Sequence, residues 1–235
     1  MPISDTKIAV IIPAHNEERA IAHVVGDIPK YVQNIIVVCN NCSDNTKEVA
    51  AQNGAITLDE EKPGYGYACL KGIEFVNEQL PDTEIIVFLD GDYGDYPEQL
   101  TELVQPIIED NYDFVIGARV KKWREPGSMT PQQIFGNALA TTLMRLLYKN
   151  SIFTDLGPFR AIKKEKLNAL NMQDKTYGWT VEMQLKALRH KFKYCEVPLR
   201  YRKRIGVSKV SGTVKGSVMA GIKILTWVFK YRFSK

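Results

Sequence analysis

Short blocks of consecutive apolar residues alternate with segments of helical periodicity along the first half of the chain. Lys7–Ile12 is β-branched and apolar and stops at Pro13. Ile35–Val38 ends in the polar run Asn40-Asn41-Cys42-Ser43-Asp44-Asn45, Ala55–Leu58 is a weaker block, Glu84–Leu89 is uninterrupted, and Asp113–Ile116 completes the set. These blocks predict strands. Between them, Ile21, Val24, Val25 and Ile28 recur at helical spacing after Asn16-Glu17-Glu18, and Thr46–Asn53 closes on Gly54. Tyr67–Gln79 and Pro97–Glu109 carry further helical patterns. Apolar strands alternating with helices predict an α/β fold, with a Rossmann-like, mostly parallel central sheet covered by helices on both faces. Ligands of such sheets bind beyond the carboxyl ends of the strands. Those ends carry Pro13-Ala14-His15-Asn16-Glu17, Asn40–Asp44, Asp90-Gly91-Asp92 and Gly117-Ala118-Arg119.

After Arg119 the pattern changes. Lys121–Pro131 is polar with Pro and Gly and predicts a loop or lid. Gln132–Tyr148 holds its apolar residues in two interleaved rows, Ile134 to Leu146 and Phe135 to Leu147, a broad helical stripe. Thr154–Arg160 reads as a Gly-Pro turn and Thr176–His190 as another helix. No repeat or independent boundary interrupts the chain. Residues 1–212 are expected to form one domain, with a nucleotide half over 1–119 and an acceptor half over 120–212, followed by an amphipathic helix over 213–235.

Charge changes this picture only through its distribution. A net +4 implies no polyanionic partner, and no nucleic acid is expected. From Lys186 to Lys235, however, fourteen basic residues face a single acid, Glu196. Such a tail either meets an anionic surface, substrate or lipid, or is a solvated face. Val214–Phe233 is apolar and aromatic but broken by Lys215, Lys223 and Lys230, so it lacks the roughly 20 uninterrupted apolar residues of a membrane span. It reads either as a packed terminal helix or as an interfacial helix at headgroup level. Cys39, Cys42, Cys69 and Cys195 form one Cys-x-x-Cys pair and two singles. That set suits the free thiols of a reducing cytosol better than zinc. Ile8–Ile12 is too short for a signal peptide. A cytoplasmic protein is expected, peripheral on the cytoplasmic membrane face if the terminal helix is interfacial.

The candidate chemistry centres on Asp90-Gly91-Asp92. Two carboxylates two residues apart point the same way if the chain is still extended. They would then make a hard-oxygen site for Mg²⁺ or Mn²⁺, which keeps waters and takes phosphate oxygens. Such a cation stabilises the charge that builds on a departing nucleoside diphosphate. The same residues also make a good solvated turn.

Further pieces stand in order around this pair: Val10-Ile-Ile-Pro-Ala-His-Asn-Glu17, Val37-Val-Cys-Asn-Asn-Cys-Ser-Asp44, Pro63-Gly-Tyr-Gly66, Phe88-Leu-Asp-Gly-Asp92 with Pro97-Glu98, and Gly117-Ala-Arg119. Beyond them come Asp155-Leu-Gly-Pro-Phe-Arg160, Gly178-Trp-Thr-Val-Glu182, Glu196-Val-Pro198, Arg204 and Ser208-Lys209. The ordered set, spanning roughly residues 7 to 212, resembles the inverting family 2 glycosyltransferases of GT-A fold, nearest the dolichyl- or polyprenyl-phosphate mannose and glucose synthases. The resemblance implies that Pro13, Ala14, Asn16, Glu17, Asn40, Asp44, Gly64, Asp90, Gly91 and Asp92 line a nucleotide sugar, with Asp90 and Asp92 on the metal. Cys39 and Asn40 stand where the family carries acids, and Gly94 where some relatives carry a Gln metal ligand. The metal shell would therefore rest on Asp92 and water, or recruit Asp95.

What receives the sugar decides whether a base is needed. A phosphate monoester, with a second pKa of about 6, needs no proton removed, whereas a sugar hydroxyl does. By the resemblance, Glu182 is the candidate base, though at i,i+4 it equally reads as a helix carboxylate paired with Lys186. Asp155 would bind the sugar or fix the Gly157-Pro158 turn. Arg119, Arg202, Arg204 and Lys209 are the candidate phosphate-binding cations. Together these imply hexose transfer from a UDP- or GDP-sugar to a polyprenyl phosphate. Transfer to a soluble hydroxyl acceptor, or nucleotide-sugar binding without transfer, are the rival readings. A NAD enzyme is disfavoured because no Gly-x-Gly-x-x-Gly follows the first strand.

Overall fold

The computed structural model describes residues 2–206 and 214–233. Its centre is a seven-stranded sheet built from β1 (Ile8–Ala14), β2 (Asn34–Asn40), β3 (Ile56–Glu60), β4 (Ile85–Phe88), β5 (Phe114–Ala118), β6 (Arg160–Lys163) and β7 (Tyr194–Pro198). The spatial order is β3-β2-β1-β4-β6-β5-β7. All neighbours are parallel except β6, which runs antiparallel to both β4 and β5. The five blocks predicted as strands are β1 to β5. Both β6 and β7 lay outside that prediction. β6 has only four residues with a charge at each end, and β7 is interrupted by Glu196, so neither shows a clear apolar block. Because β6 sits between β4 and β5, strands from both sides of residue 120 share one ladder.

The helices are α1 (Ile21–Gly26), α2 (Thr46–Gln52), α3 (Tyr65–Gln79), α4 (Leu100–Glu109), α5 (Pro131–Leu147), α6 (Lys164–Leu170), α7 (Trp179–Arg189) and α8 (Val214–Phe233). On one sheet face Ile11, Ile36, Phe88 and Phe114 pack with residues of α3, α5, α7 and α8, with Trp179 buried edge-on against Phe88. On the other, Val10, Ile12, Val87 and Val115 pack under α1 and α4. Every residue of β1, β4 and β5 is buried, which is why those strands read as unbroken apolar runs. α5 begins where the sequence gives it reciprocal caps. Thr130 Oγ1 accepts from Gln133 N at 3.2 Å, Gln133 Oε1 accepts from Thr130 N at 2.8 Å, and Pro131 holds the first helical position.

The segment Lys121–Pro131, expected as a loop or lid, is a loop, and it is fastened at both sides. Glu125 N donates to Tyr201 O at 2.8 Å, while its carboxylate accepts from Tyr96 Oη at 3.3 Å and Lys203 N at 3.1 Å. Arg124 and Tyr201 also form a β-bridge. The segment is a strap that holds the chain after β7 against the sheet edge.

Gly72 lets α3 approach β1. A Cβ there would lie 2.6 Å from the Ile11 side chain, whereas one at Gly26, at the end of α1, meets nothing within 4 Å. Gly72→Val is therefore expected to cost about 1–3 kcal/mol by overpacking, and Gly26→Ala to leave stability level or slightly raised. Urea unfolding of the two variants checks this. Equal midpoints would show that α3 is not packed as described.

Candidate functional site

The strand ends bring one group of the expected residues together. Pro13 and Ala14 at the end of β1, Asn40 at the end of β2, and Asp90, Gly91 and Asp92 after β4 line one cleft of about 320 Å³ with His15, Glu17, Gly64, Tyr65, Tyr177 and Arg204. Asp90 and Asp92 do not share it by lying on an extended strand. β4 ends at Phe88, residues 91–92 form a turn, and Tyr93 takes a positive φ of 61°. The turn, rather than the strand's alternation, aims both carboxylates.

Asn40 is structural as well as exposed to the cleft. Its Nδ2 donates to the carbonyls of Glu60 (3.2 Å) and Lys62 (2.7 Å), and its Oδ1 accepts from Gly64 N at 2.8 Å. A carboxylate has no proton to give those two carbonyls, which accounts for an amide where the resemblance leads one to expect an acid. Gly64 has a φ of 149°, and a Cβ there would sit 2.3 Å from the Lys175 carbonyl, so only glycine fits. Asn16 and Asp44 do not line the cleft. Asn16, at φ 55°, accepts from Ser43 N through Oδ1 at 2.8 Å. Asp44 receives Thr46 N at 3.1 Å and Glu18 N at 3.2 Å. Both shape the loops that hold Ala14 and His15.

The electrostatics divide the acidic residues sharply. Asp92 is 5% exposed; its Oδ1 accepts from Gly94 N at 2.8 Å and its Oδ2 meets Arg204 Nη1 at 2.5 Å. Asp90 accepts from Tyr65 Oη at 3.0 Å, and burial together with the neighbouring charge of Asp92 pushes its carboxyl up to about 6. Asp95 lies outside the cleft lining; burial drives its carboxyl well above the usual range, and its Oδ2 has no hydrogen-bond partner. At Gly94 a Cβ would stand 2.9 Å from Asp92 Oδ1 and 3.1 Å from the Tyr201 ring, so Tyr201 fills the space a longer residue would need. Among the described residues no group of three or more His, Cys, Asp or Glu is arranged to hold a metal alone. Two carboxylates still suit a cation that completes its shell with water and diphosphate oxygens.

Glu182, the candidate base, and Asp155, read as a sugar ligand or as the anchor of the Gly157-Pro158 turn, are both held in ion pairs outside the cleft lining. Glu182 is fully buried: its carboxylate accepts from Gln173 N, Asp174 N (2.7 Å) and Tyr231 Oη (3.1 Å) and pairs with Lys186 at 2.8 Å. The helical pairing read from the spacing is what forms, and the carboxylate does not line the cleft. Asp155 is gripped by Arg119, with Nε at 2.9 Å and Nη2 at 2.6 Å, plus Arg119 N at 2.7 Å. Burial raises the Asp155 carboxyl, but the Arg119 charge and hydrogen bonds outweigh it and hold it below the usual range. Arg160 is wholly buried and secures the same turn through the Gly157, Thr180 and Leu156 carbonyls.

The basic candidates separate likewise. Arg204 lines the cleft. Arg202 lies between Tyr93 and Tyr96, its guanidinium 3.5 and 3.9 Å from their ring centres, and reaches neither cavity. Lys209 falls outside the described residues. Arg119, Arg204, Asp90, Tyr65 and Tyr177 line a second cavity of about 330 Å³, whose remaining walls are largely apolar. Those walls include Gly136, Leu139 and Ala140 of α5, Leu156, Trp179, and Ala220, Gly221, Ile224 and Leu225 of α8. The two cavities meet along Tyr65, Asp90, Tyr177 and Arg204. His15, Tyr65 and Tyr177 were not among the expected site residues. The Tyr65 phenol could have been suspected from its place inside Pro63-Gly-Tyr-Gly66, whereas nothing in the local sequence marks Tyr177.

Comparison with known proteins bears on this geometry. Residues 9–170 match the profile of Glycosyl transferase family 2. A dolichyl-phosphate hexose transferase of Haloferax volcanii is 29% identical, the alignment covering 90% of each chain. A UDP-N-acetylglucosamine–dolichyl-phosphate N-acetylglucosaminyltransferase of Methanococcus voltae is 27% identical over 99% of each. In fold, the chain superposes with a TM-score of 0.76 at 18% identity on a glucosyl-3-phosphoglycerate synthase of Mycobacterium tuberculosis, solved with Mn²⁺, UDP and phosphoglyceric acid. That match covers 98% of this chain and 80% of the other.

Glu182→Gln should behave as a stability variant. Removing one charge of a buried pair costs about 3–5 kcal/mol, and the urea midpoint should fall accordingly while turnover per folded molecule holds. A variant of unchanged stability but abolished turnover would restore Glu182 to the chemistry.

Proposed function

The chain belongs to glycosyl transferase family 2 and is a glycosyltransferase of GT-A fold; from that premise we propose that it moves a hexose, with inversion, from a UDP- or GDP-sugar to a polyprenyl or dolichyl phosphate at the cytoplasmic face of a membrane. One observation carries the acceptor: the strand-end cleft that holds Asp90 and Asp92 shares a wall, including Asp90 and Arg204, with a groove whose far side is formed by Leu139 and Ala140 of α5 and Ala220, Ile224 and Leu225 of α8. A lipid phosphate has that same division, a charged head on an apolar tail. The two relatives whose names include dolichyl phosphate support the same acceptor class.

In this scheme Pro13, Ala14, Glu17, Asn40 and Gly64 surround the nucleotide, and the diphosphate lies against Asp90-Gly91-Asp92. Asp92, with Asp90 beside it, would hold Mg²⁺ or Mn²⁺; the cation supplies charge neutralisation to the departing diphosphate. Arg204, already on Asp92 and lining both cavities, stands between the leaving and attacking phosphates and lowers their mutual repulsion. Arg119, held rigid by Asp155, presents positive charge to the groove. An acceptor phosphate oxygen attacks the anomeric carbon, the carbon–oxygen bond to the diphosphate breaks, and the nucleoside diphosphate leaves with the electron pair. A dianionic phosphate has no proton to lose, in keeping with Glu182 and Asp155 both being engaged elsewhere.

Incubating the protein with Mn²⁺, undecaprenyl phosphate and labelled UDP- or GDP-hexoses should move label into the organic phase with at least one donor. Label reaching only soluble sugars, or none reaching lipid with any donor, contradicts the proposal. The groove can be tested separately. A Cβ at Gly136 or Gly221, both in the groove lining, meets nothing within 4 Å, so Gly136→Leu and Gly221→Leu put bulk at the groove with a gain in helix propensity. The KM for the lipid acceptor should rise by about tenfold or more, with donor affinity by calorimetry unchanged. An unaltered KM would place the acceptor elsewhere.

A further inference from the structure

We propose that the outer faces of α5 and α8 form one docking surface for an anionic lipid bilayer. The inner face of α8 is tied to the protein over Lys223–Tyr231. Trp227 Nε1 donates to Asp174 at 2.5 Å, Lys223 pairs with the same carboxylate at 3.1 Å, Tyr231 Oη donates to Glu182 at 3.1 Å, and Tyr148 Oη donates to Val228 O at 2.8 Å. The opposite face carries the apolar side chains that remain in solvent. Of the eleven exposed large hydrophobic residues among those described, eight lie on these two helices: Ile134, Phe135, Leu139 and Leu146 on α5, and Met219, Ile222, Phe229 and Phe233 on α8. Phe135, Leu146 and Phe233 are 70%, 73% and 72% exposed. Phe135, Leu139 and Leu146 fall on one helical stripe, as do Ile222, Phe229 and Phe233. A soluble chain rarely concentrates its exposed apolar side chains on one adjoining pair of helices without a use for them.

Charge selects the occupant. Neither helix contains an Asp or Glu, while Arg145, Lys149, Lys230 and Arg232 stand exposed on or beside them. Aromatic and aliphatic residues mixed with exposed cations suit the headgroup layer of an anionic bilayer. A second copy docking through the same patch would set basic residues against basic residues. No helix among the described residues is long and apolar enough to cross a membrane, so the pair lies on the surface. Leu139, exposed on this surface, also lines the apolar groove together with neighbouring residues of both helices. Docking would therefore bring that groove to the lipid. This last consequence rests on the acceptor proposed above; the docking itself does not.

The test is cosedimentation of the whole protein with vesicles of phosphatidylcholine alone and of phosphatidylcholine with phosphatidylglycerol. Wild type should partition onto the anionic vesicles and be released by high salt. Phe135→Ser with Leu146→Ser, and separately Phe229→Ser, should weaken partition by at least about tenfold. These side chains are solvent-exposed and line neither cavity, so the variants should keep wild-type unfolding midpoints. They should also keep wild-type turnover on a short-chain, water-soluble prenyl phosphate. Failure of wild type to bind anionic vesicles, or undiminished binding by the variants, overturns the proposal. A dimer in lipid-free buffer that these variants dissociate also overturns it, since the patch would then be a protein interface. Vesicle binding that persists while every lipid acceptor fails in the transfer assay would refute the transfer reading and leave the docking surface standing.

Discussion

A carboxylate taken out of water must find a cation or be neutralised, and this chain buries four that do so by pairing. Asp92, Asp155, Asp174 and Glu182 are each at most 5% exposed, and each meets a base: Arg204 at 2.5 Å, Arg119 at 2.6 Å, Lys223 at 3.1 Å and Lys186 at 2.8 Å. Losing one partner would leave a buried charge uncompensated, which costs far more than an exposed ion pair returns. Three of the pairs fix the scaffold. Asp155–Arg119 clamps the Gly157 turn to the end of β5 and Asp174–Lys223 clamps α8 to the loop before α7, while Glu182–Lys186 lies within α7 and its two side chains take up Gln173 N, Asp174 N and Asn171 O of that loop. In the fourth, both partners line the cleft, where a diphosphate or a cation can compete for each. Burial alone therefore does not separate Asp92 from the other three; of the four carboxylates, Asp92 is the one in the cleft lining.

The loop over residues 174–178 joins the parts of the molecule that the transfer needs. Asp174 holds its turn through Thr176 N at 2.7 Å and Gly178 N at 3.0 Å while receiving Trp227 and Lys223 from α8. Its carbonyls at 174 and 175 press so closely on Gly66 and Gly64 that a Cβ at either would overlap them. Tyr177 lines both cavities. The N-terminal turn of α3, the wall common to both cavities and the terminal helix are thus parts of one rigid contact set.

The sheet was legible wherever both faces of a strand are buried, because β1, β2, β4 and β5 then read as unbroken apolar blocks. β6 was not, since its short stretch becomes a strand only through pairing with β4 and β5, some 75 and 45 residues earlier in the chain. The same distinction governs the site. Asp90, Asp92, Pro13 and Ala14 follow from strand order plus the rule that ligands sit at strand ends, whereas Gly64 came only with the family resemblance. Asp155 and Arg119 were nominated as separate ligands because nothing local says that residues 36 apart will grip each other. Glu182 carried its true partner four residues away, a spacing visible from the start, but its burial under α8 was not. Arg202 belonged to a basic run that looked uniform; only Tyr93 and Tyr96, about a hundred residues earlier, separate it from Arg204.

Asp92, in the lining of the strand-end cleft and paired there with Arg204, is in this scheme the acid on which metal-assisted donor binding depends. Isothermal titration of UDP- and GDP-sugars, with and without Mn²⁺, into wild type and Asp92→Asn tests it most directly. Wild type should bind one donor in a Mn²⁺-dependent way, and the variant should lose at least about tenfold in affinity at a retained fold. Donor binding of unchanged affinity and unchanged metal dependence in Asp92→Asn would contradict it.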